Sequence, residues 1–120
     1  YMRADCAVLY INKKYFKICV EIIKVINQRI DSELYPDTPL FTWCISKGFS
    51  FAESPVNNAS FGVSRTLMIA NAVIKSVIKG VRKDNWVSEV CTELESNKIK
   101  LEYIYLNSDC RAFYEELYQF

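Results

Sequence analysis

Histidine does not occur anywhere in these 120 residues. Its absence removes Ser-His-Asp and Cys-His nucleophilic catalysis within the chain, because no imidazole exists to take the proton from a hydroxyl or thiol. A metal site would need clustered thiolates or carboxylates instead, and none stand at ligand spacing, so no metal is expected. Glycine is scarce, with three residues, too few for a phosphate-cradling loop around Ser60-Phe61-Gly62, and no cofactor is expected. Charge of one sign is also missing. Fifteen basic and 14 acidic residues mix along the chain to a net +1, which leaves no footprint for nucleic acid or an anionic membrane. The apolar runs fall far short of the roughly 18 residues that a transmembrane helix needs. Neither nucleic acid nor membrane is therefore expected as a partner. Cysteine is present but not paired: Cys6, Cys19, Cys44, Cys91 and Cys110 are odd in number and scattered. They form neither a disulfide framework nor a C-x-x-C site. They read as free, mostly buried thiols suited to a reducing cytosol, either the producer's own or that of a host cell.

What is present suffices for a core. Half the residues are apolar (51%), 14% are aromatic and 24% charged, a composition that argues against disorder. The length suits one domain over 1–120. The start Tyr1-Met2-Arg3 has no initiator at position 1 and no signal-peptide pattern, and reads as a piece of a longer protein.

Along the chain, Cys6 to Ile11 (CAVLYI) predicts a short buried strand that ends at Asn12-Lys13-Lys14. Lys13 to Ile30 predicts a helix with Tyr15, Cys19, Ile22, Ile26 and Ile30 on its packed stripe. Pro36 and Pro39 bar helix and give a turn. Leu40 to Ile45 predicts a strand, Gly48 and Ser50 a loop or bulge, and Phe49 to Phe51 permits a second short strand. Ser54 to Ser60 is loop by composition. A second helix follows, capped by Ser60, stopped by Gly80, with Val63, Leu67, Ala70, Ile74, Val77 and Val81 as its stripe. A third runs from an N-cap at Asp84 to Asn97. Leu101 to Leu106 (LEYIYL) alternates like a strand, and Ser108 or Asp109 caps a last helix through Tyr118. The sum is a single α+β domain, a small mixed sheet with three or four packed helices.

Several short strings stand in order: Arg3-Ala4-Asp5 before Ala7-Val8-Leu9-Tyr10, then Thr38-Pro39-Leu40-Phe41-Thr42, Lys47-Gly48 and Ala52-Glu53-Ser54-Pro55. Ser60-Phe61-Gly62 with Arg65 and Tyr105-Leu106-Asn107 complete the series. Together, over roughly residues 2 to 107, they resemble the HopA family of type III secreted effectors, proteins that plant-pathogenic bacteria inject into host cells. Related domains serve as lyase components for some lanthipeptides. Relatives commonly carry His-Arg where this chain has Ser64-Arg65, an acidic residue at the place of Ser54, and proline at that of Ser108.

The resemblance implies the fold of the C-terminal half of these effectors. It also implies secretion by a bacterium and delivery to the host cytoplasm, the bacterial cytoplasm being the alternative. For the lyases it implies β-elimination of phosphate from phosphothreonine or phosphoserine, which needs a base near the Cα proton and cations to hold the leaving phosphate. Lys47 is the candidate base, if burial lowers its pKa, and Arg65 and Arg3 are candidate phosphate clamps through their planar guanidinium forks. Asp5, Glu53, Tyr105 and Asn107 are candidates for binding phosphate or a partner, and Tyr10 or Tyr105 for the acid that histidine would supply.

Plainer readings stand beside these. Arg3 and Asp5 form a local ion pair at a strand start, Glu53 satisfies loop amides, Ser60 caps a helix, and Arg65 in a first helical turn calls for a bound anion or an acidic partner. Two functions follow. In one, the domain binds a host protein, or another part of its own protein, through the loop from Ser46 to Ser60, with a secretion chaperone on a preceding region as a further partner. In the other it is a phosphothreonine-type lyase or a relic of one. The missing histidine favours the first.

Overall fold

A computed structural model describes residues 7–56, 59–107, 110 and 112–114. It divides into two compact units, Tyr1–Phe51 and Ala52–Phe120. The fold class is α+β, as expected.

In the first unit Asn12 opens the helical region, its side chain accepting a hydrogen bond from the Lys14 amide. One 3-10 turn, Lys13–Tyr15, leads into helix α1, Phe16–Ile30. Strands β1, Trp43–Ser46, and β2, Phe49–Phe51, pair antiparallel with Trp43 opposite Phe51 and an irregular register between Cys44 and Ser46. Gly48 turns the hairpin at φ 71°, and a side chain there would press on the Tyr35 carbonyl and Leu34. The core of this unit is aromatic. Phe16, 2% exposed, meets the Phe51 ring at 4.5 Å between centroids, with Val20 buried beside it on α1.

The second unit is built on helices α2, Phe61–Ile78, and α3, Trp86–Ser96, which pack together. Ser60 caps α2 by accepting from the Val63 amide. Gly80 (φ 67°) and Lys98 (φ 58°) take the left-handed position after α2 and α3 respectively. In each case the following amide reaches back: Val81 to the Ser76 carbonyl, Ile99 to that of Leu94. Ala72 and Ser76 are buried on α2, small enough for close helix approach, and the Ser76 hydroxyl bonds the Ala72 carbonyl. Leu94, Ile99, Ile104, Leu106 and Tyr114 complete the core. At the rim, Lys75 pairs with Glu93 at 2.7 Å.

Several expectations are corrected. Residues 7–11, expected within a strand from Cys6 to Ile11, form no strand and make no backbone hydrogen bond among the described residues. Residues 101–106 form a 3-10 turn, Leu101–Tyr103, followed by further turns. Their alternation is real, with Ile104 and Leu106 buried, but their carbonyls serve a guanidinium and not a ladder. The sheet described is the two-stranded hairpin. The helix stripes are also rotated. α1 turns Phe16 and Val20 inward and leaves Tyr15, Ile22, Ile26 and Ile30 exposed. α2 buries Ser64, Arg65, Ala72 and Ser76 and exposes Val63, Leu67, Ile74 and Val77. Asp84 lies in a 3-10 turn, Lys83–Asn85, ahead of α3 and provides no side-chain cap. Of the thiols, Cys44 is exposed and Cys19, Cys91 and Cys110 half-buried, so they are not core residues. Residues 112–114 are helical, while Cys6 and the rest of the expected last helix lie outside the described residues.

By length and composition α2 is long and apolar enough to cross a membrane. The apolar run is broken by Arg65, Asn71 and Lys75, which is why the sequence did not suggest a span. Its packing on α3 and its buried arginine make it one of a helix pair.

Candidate functional site

The site grows from one residue in the wrong solvent. Arg65 is the largest fully buried side chain among the described residues, 1% exposed, in the second turn of α2. A buried guanidinium must find acceptors for its five N–H groups or lose several kcal/mol of hydration. The segment after α3 supplies them. Nε donates to the Ile104 carbonyl at 2.7 Å, and Nη2 donates to the Leu106 carbonyl at 2.9 Å and to Asn107 Oδ1 at 3.1 Å. Nη1 reaches the neighbouring Ser64 hydroxyl at 3.4 Å, and the Phe61 ring lies 5.1 Å from the guanidinium carbon. Burial lowers the Arg65 pKa, and the charge of Glu53 opposes that shift. Arg65 thus lies one turn further into the helix than expected, and Glu53 is the acidic group whose charge acts on it.

Glu53 holds the other side. Its amide donates to the Tyr105 carbonyl at 2.8 Å, Oε2 accepts from the Asn107 amide at 2.7 Å, and Oε1 accepts from the Tyr114 hydroxyl at 2.8 Å. Asn107 closes the ring by donating Nδ2 to the Ser54 carbonyl at 2.7 Å. With Arg65 on one end of its amide and a carbonyl on the other, the orientation of Asn107 is set. Burial raises the Tyr114 pKa, and the hydrogen bond to Glu53 adds to it, because ionisation would place two negative oxygens together.

Three of the strings that carried the resemblance therefore meet in one knot: Ala52–Pro55 through Glu53 and Ser54, Ser60–Gly62 with Arg65, and Tyr105–Asn107. Of the candidate residues, Arg65, Glu53 and Asn107 are brought together here by side chains and Tyr105 by its carbonyl, its ring edge facing Tyr103 at 6.3 Å. Glu53 does satisfy loop amides, and Ser60 does cap the helix.

Lys47 belongs to the first unit and has partners of its own. It sits in the hairpin turn with its ammonium 3.5 Å from Asp31 Oδ2 and bonded to the Asp31 carbonyl at 2.5 Å. Asn27 donates to the Lys47 carbonyl at 2.9 Å, so both ends of the residue tie the hairpin to the end of α1. Arg3 and Asp5 lie outside the described residues.

Sequence reasoning missed Tyr114, Ser64 and the carbonyls of Ile104 and Leu106. Carbonyls leave no mark in a sequence, and Tyr114 lies beyond the last string. An arginine in the second turn of a largely apolar helix is the available signal. Among the described residues no group of three Cys, Asp or Glu side chains is placed to hold a metal ion.

Compared with known proteins, residues 1–106 match the model of the HopA1 effector protein family. No curated protein and no solved structure gives a match.

Proposed function

The chain belongs to the HopA1 effector protein family, and on that premise we propose that it is a secreted effector domain that acts in the target cell's cytoplasm by binding a protein or peptide. The observation that carries this reading is the two-sidedness of α2. Its inner face is anchored through Arg65 to the 104–107 segment. Its outer face carries Val63, Leu67, Ile74 and Val77, each 53–58% exposed, at the spacing of a packing seam. Contiguous apolar side chains turned to solvent mark an interaction surface. Thr66 and Asn71 beside the stripe are uncharged, so the fitting partner is an apolar helix or groove chosen by shape, not by charge. A secretion chaperone on a preceding region fits the same route of delivery.

A phosphothreonine or phosphoserine lyase, or a relic of one, is the second reading, favoured by the meeting of three family strings at Arg65, Glu53 and Asn107. In that reaction Lys47 would take the Cα proton while Arg65, with Arg3, received the departing phosphate. Against it, the Arg65 donors are engaged with carbonyls and Asn107, and Lys47 is ion-paired at the surface with Asp31.

The test uses Leu67→Asp with Ile74→Asp. Both positions are exposed, so the double variant should keep the wild-type circular dichroism and urea midpoint while losing its effect in target cells and its cross-linked partner. A fully active double variant would refute the binding reading. In a parallel arm, phosphothreonine peptides are incubated with the wild type and followed by mass spectrometry. Loss of phosphoric acid to give a dehydro-residue, abolished by Arg65→Lys, would establish the lyase in its place.

A further inference from the structure

We propose that helix α1 docks on an anionic lipid surface, with its outward isoleucines at the acyl boundary and its cations on the headgroups. The helix is apolar on two sides. Phe16 and Val20, 2% and 1% exposed, go to the core of its own unit, while Ile18, Ile22 and Val25, 52–59% exposed, recur at four and three residues along the outward side. Tyr15 and Ile26, 50% and 41% exposed, widen that stripe.

Apolar side chains alone do not say what covers them, but the charges around these do. Residues 13–30 carry five basic residues and one acidic, which leaves 10 basic against 14 less one, or 13, acidic for the rest of the chain. The near-neutral total thus conceals a cationic amphipathic helix. Lys14 stands one turn before Ile18 and Arg29 one turn after Val25, so both ends of the stripe are cationic, and Lys17 lies on its flank. All three are exposed, and none meets a carboxylate among the described residues. Glu21, the one acid of α1, is held 2.9 Å from Lys24.

The occupant must be both apolar and anionic. Nucleic acid meets the charges but not the isoleucines. A bilayer with anionic headgroups meets both at matched depths, because the apolar face of an interfacial helix lies at the boundary of headgroup and acyl chain while Lys and Arg stems reach up from it. The Lys14 ammonium lies over the Tyr15 ring at 4.8 Å, a cation beside an amphipathic ring of the kind that favours such an interface. A fluid surface also asks for no shape match, which suits a convex helix face. This inference uses no residue of the α2 seam, so its failure and that of the binding reading are separable.

Co-sedimentation with vesicles tests it on the full chain. Vesicles of phosphatidylcholine with phosphatidylserine should bind the wild type, those of phosphatidylcholine alone should not, and added salt should weaken the binding. Lys14→Gln with Lys17→Gln should lower affinity about 25-fold, at about fivefold per cation. Ile18→Ser with Ile22→Ser should release the chain from the vesicles at unchanged circular dichroism, since both sites are exposed. Lys79→Gln with Lys83→Gln, cations outside α1, should bind as the wild type does. A chain that ignores both kinds of vesicle, or either α1 pair binding as tightly as the wild type, would overturn the proposal. So would an equal loss from the Lys79 and Lys83 pair, or capture by polyglutamate in place of the vesicles, which would assign the helix to an acidic protein.

Discussion

The two units of this chain place their polar side chains in opposite ways. In the unit ending at Phe51 the interior is hydrocarbon, Phe16 against Phe51 with Val20 beside them, and the Lys47–Asp31 ion pair lies at the surface. In the unit beginning at Ala52 a guanidinium is interior, and the 104–107 segment and Tyr114 are tied to it or to the nearby Glu53 carboxylate. Surface ion pairs contribute little, whereas removing one member of a buried polar network strands the others. Two basic residues picked from the sequence for one chemistry, Lys47 and Arg65, thus have unlike energetic weight.

The sharpest break of this comparison is Arg65→Met. It keeps the volume but leaves the Ile104 and Leu106 carbonyls, Asn107 and Glu53 without their cation, and should cost about 4 kcal/mol, read as a fall in the urea midpoint of the second unit. Phe16→Ala attacks the first unit where it is hydrocarbon and should cost about 3 kcal/mol by loss of contacts and cavity formation. Near-equal losses from the two variants would mean that the interiors differ in chemistry but not in weight.

Tyr114→Phe removes one bond to the Glu53 carboxylate and should cost about 2 kcal/mol at neutral pH. Its pH dependence has a definite sign. The folded pKa of Tyr114 is raised above its ordinary value of 10.0 by burial and by Glu53, so the folded state holds the proton more tightly than the unfolded state. That contribution is complete below pH about 10 and is lost as pH rises beyond it. Alkaline titration of thermal unfolding should therefore show a slope in the wild type that is reduced in Tyr114→Phe. Smallest of all, Lys47→Ala should change stability by about 0.5 kcal/mol, because its pair with Asp31 is solvated. A loss several times larger would erase the contrast between the units.

The parts of the fold that were legible in sequence are those set by single residues with strong local preferences. Ser60 as a cap, Gly48 in the hairpin turn, Gly80 and Asn97 at helix ends, and the paired short strands around Gly48 all stand where the residues put them. What was not legible is which face turns inward. Both helix stripes were chosen on hydrophobicity, yet α2 buries an arginine, two serines and an alanine, because close helix packing rewards small side chains and the guanidinium is satisfied by backbone. The alternation of LEYIYL misled for a related reason. Ile104 and Leu106 point inward as they would from a strand, but their carbonyls point to Arg65. The site was half legible: Glu53, Arg65 and Asn107 were singled out, and their mutual hydrogen bonds could not have been. Cys6 to Ile11 is strand-like in composition, yet among the described residues 7–11 have no strand to pair with.

The central claim is that the Arg65 guanidinium holds the 104–107 segment and is not open to a phosphate. Nitrogen-15 NMR of the Arg65 Nε–H tests it most directly, recorded before and after addition of inorganic phosphate and of a phosphothreonine peptide. The account predicts a resonance that exchanges slowly with water, since Nε donates to the Ile104 carbonyl at 2.7 Å, and that does not move with either addition. A rapidly exchanging Nε–H, or one that shifts in a saturable way with the phosphopeptide, would contradict it.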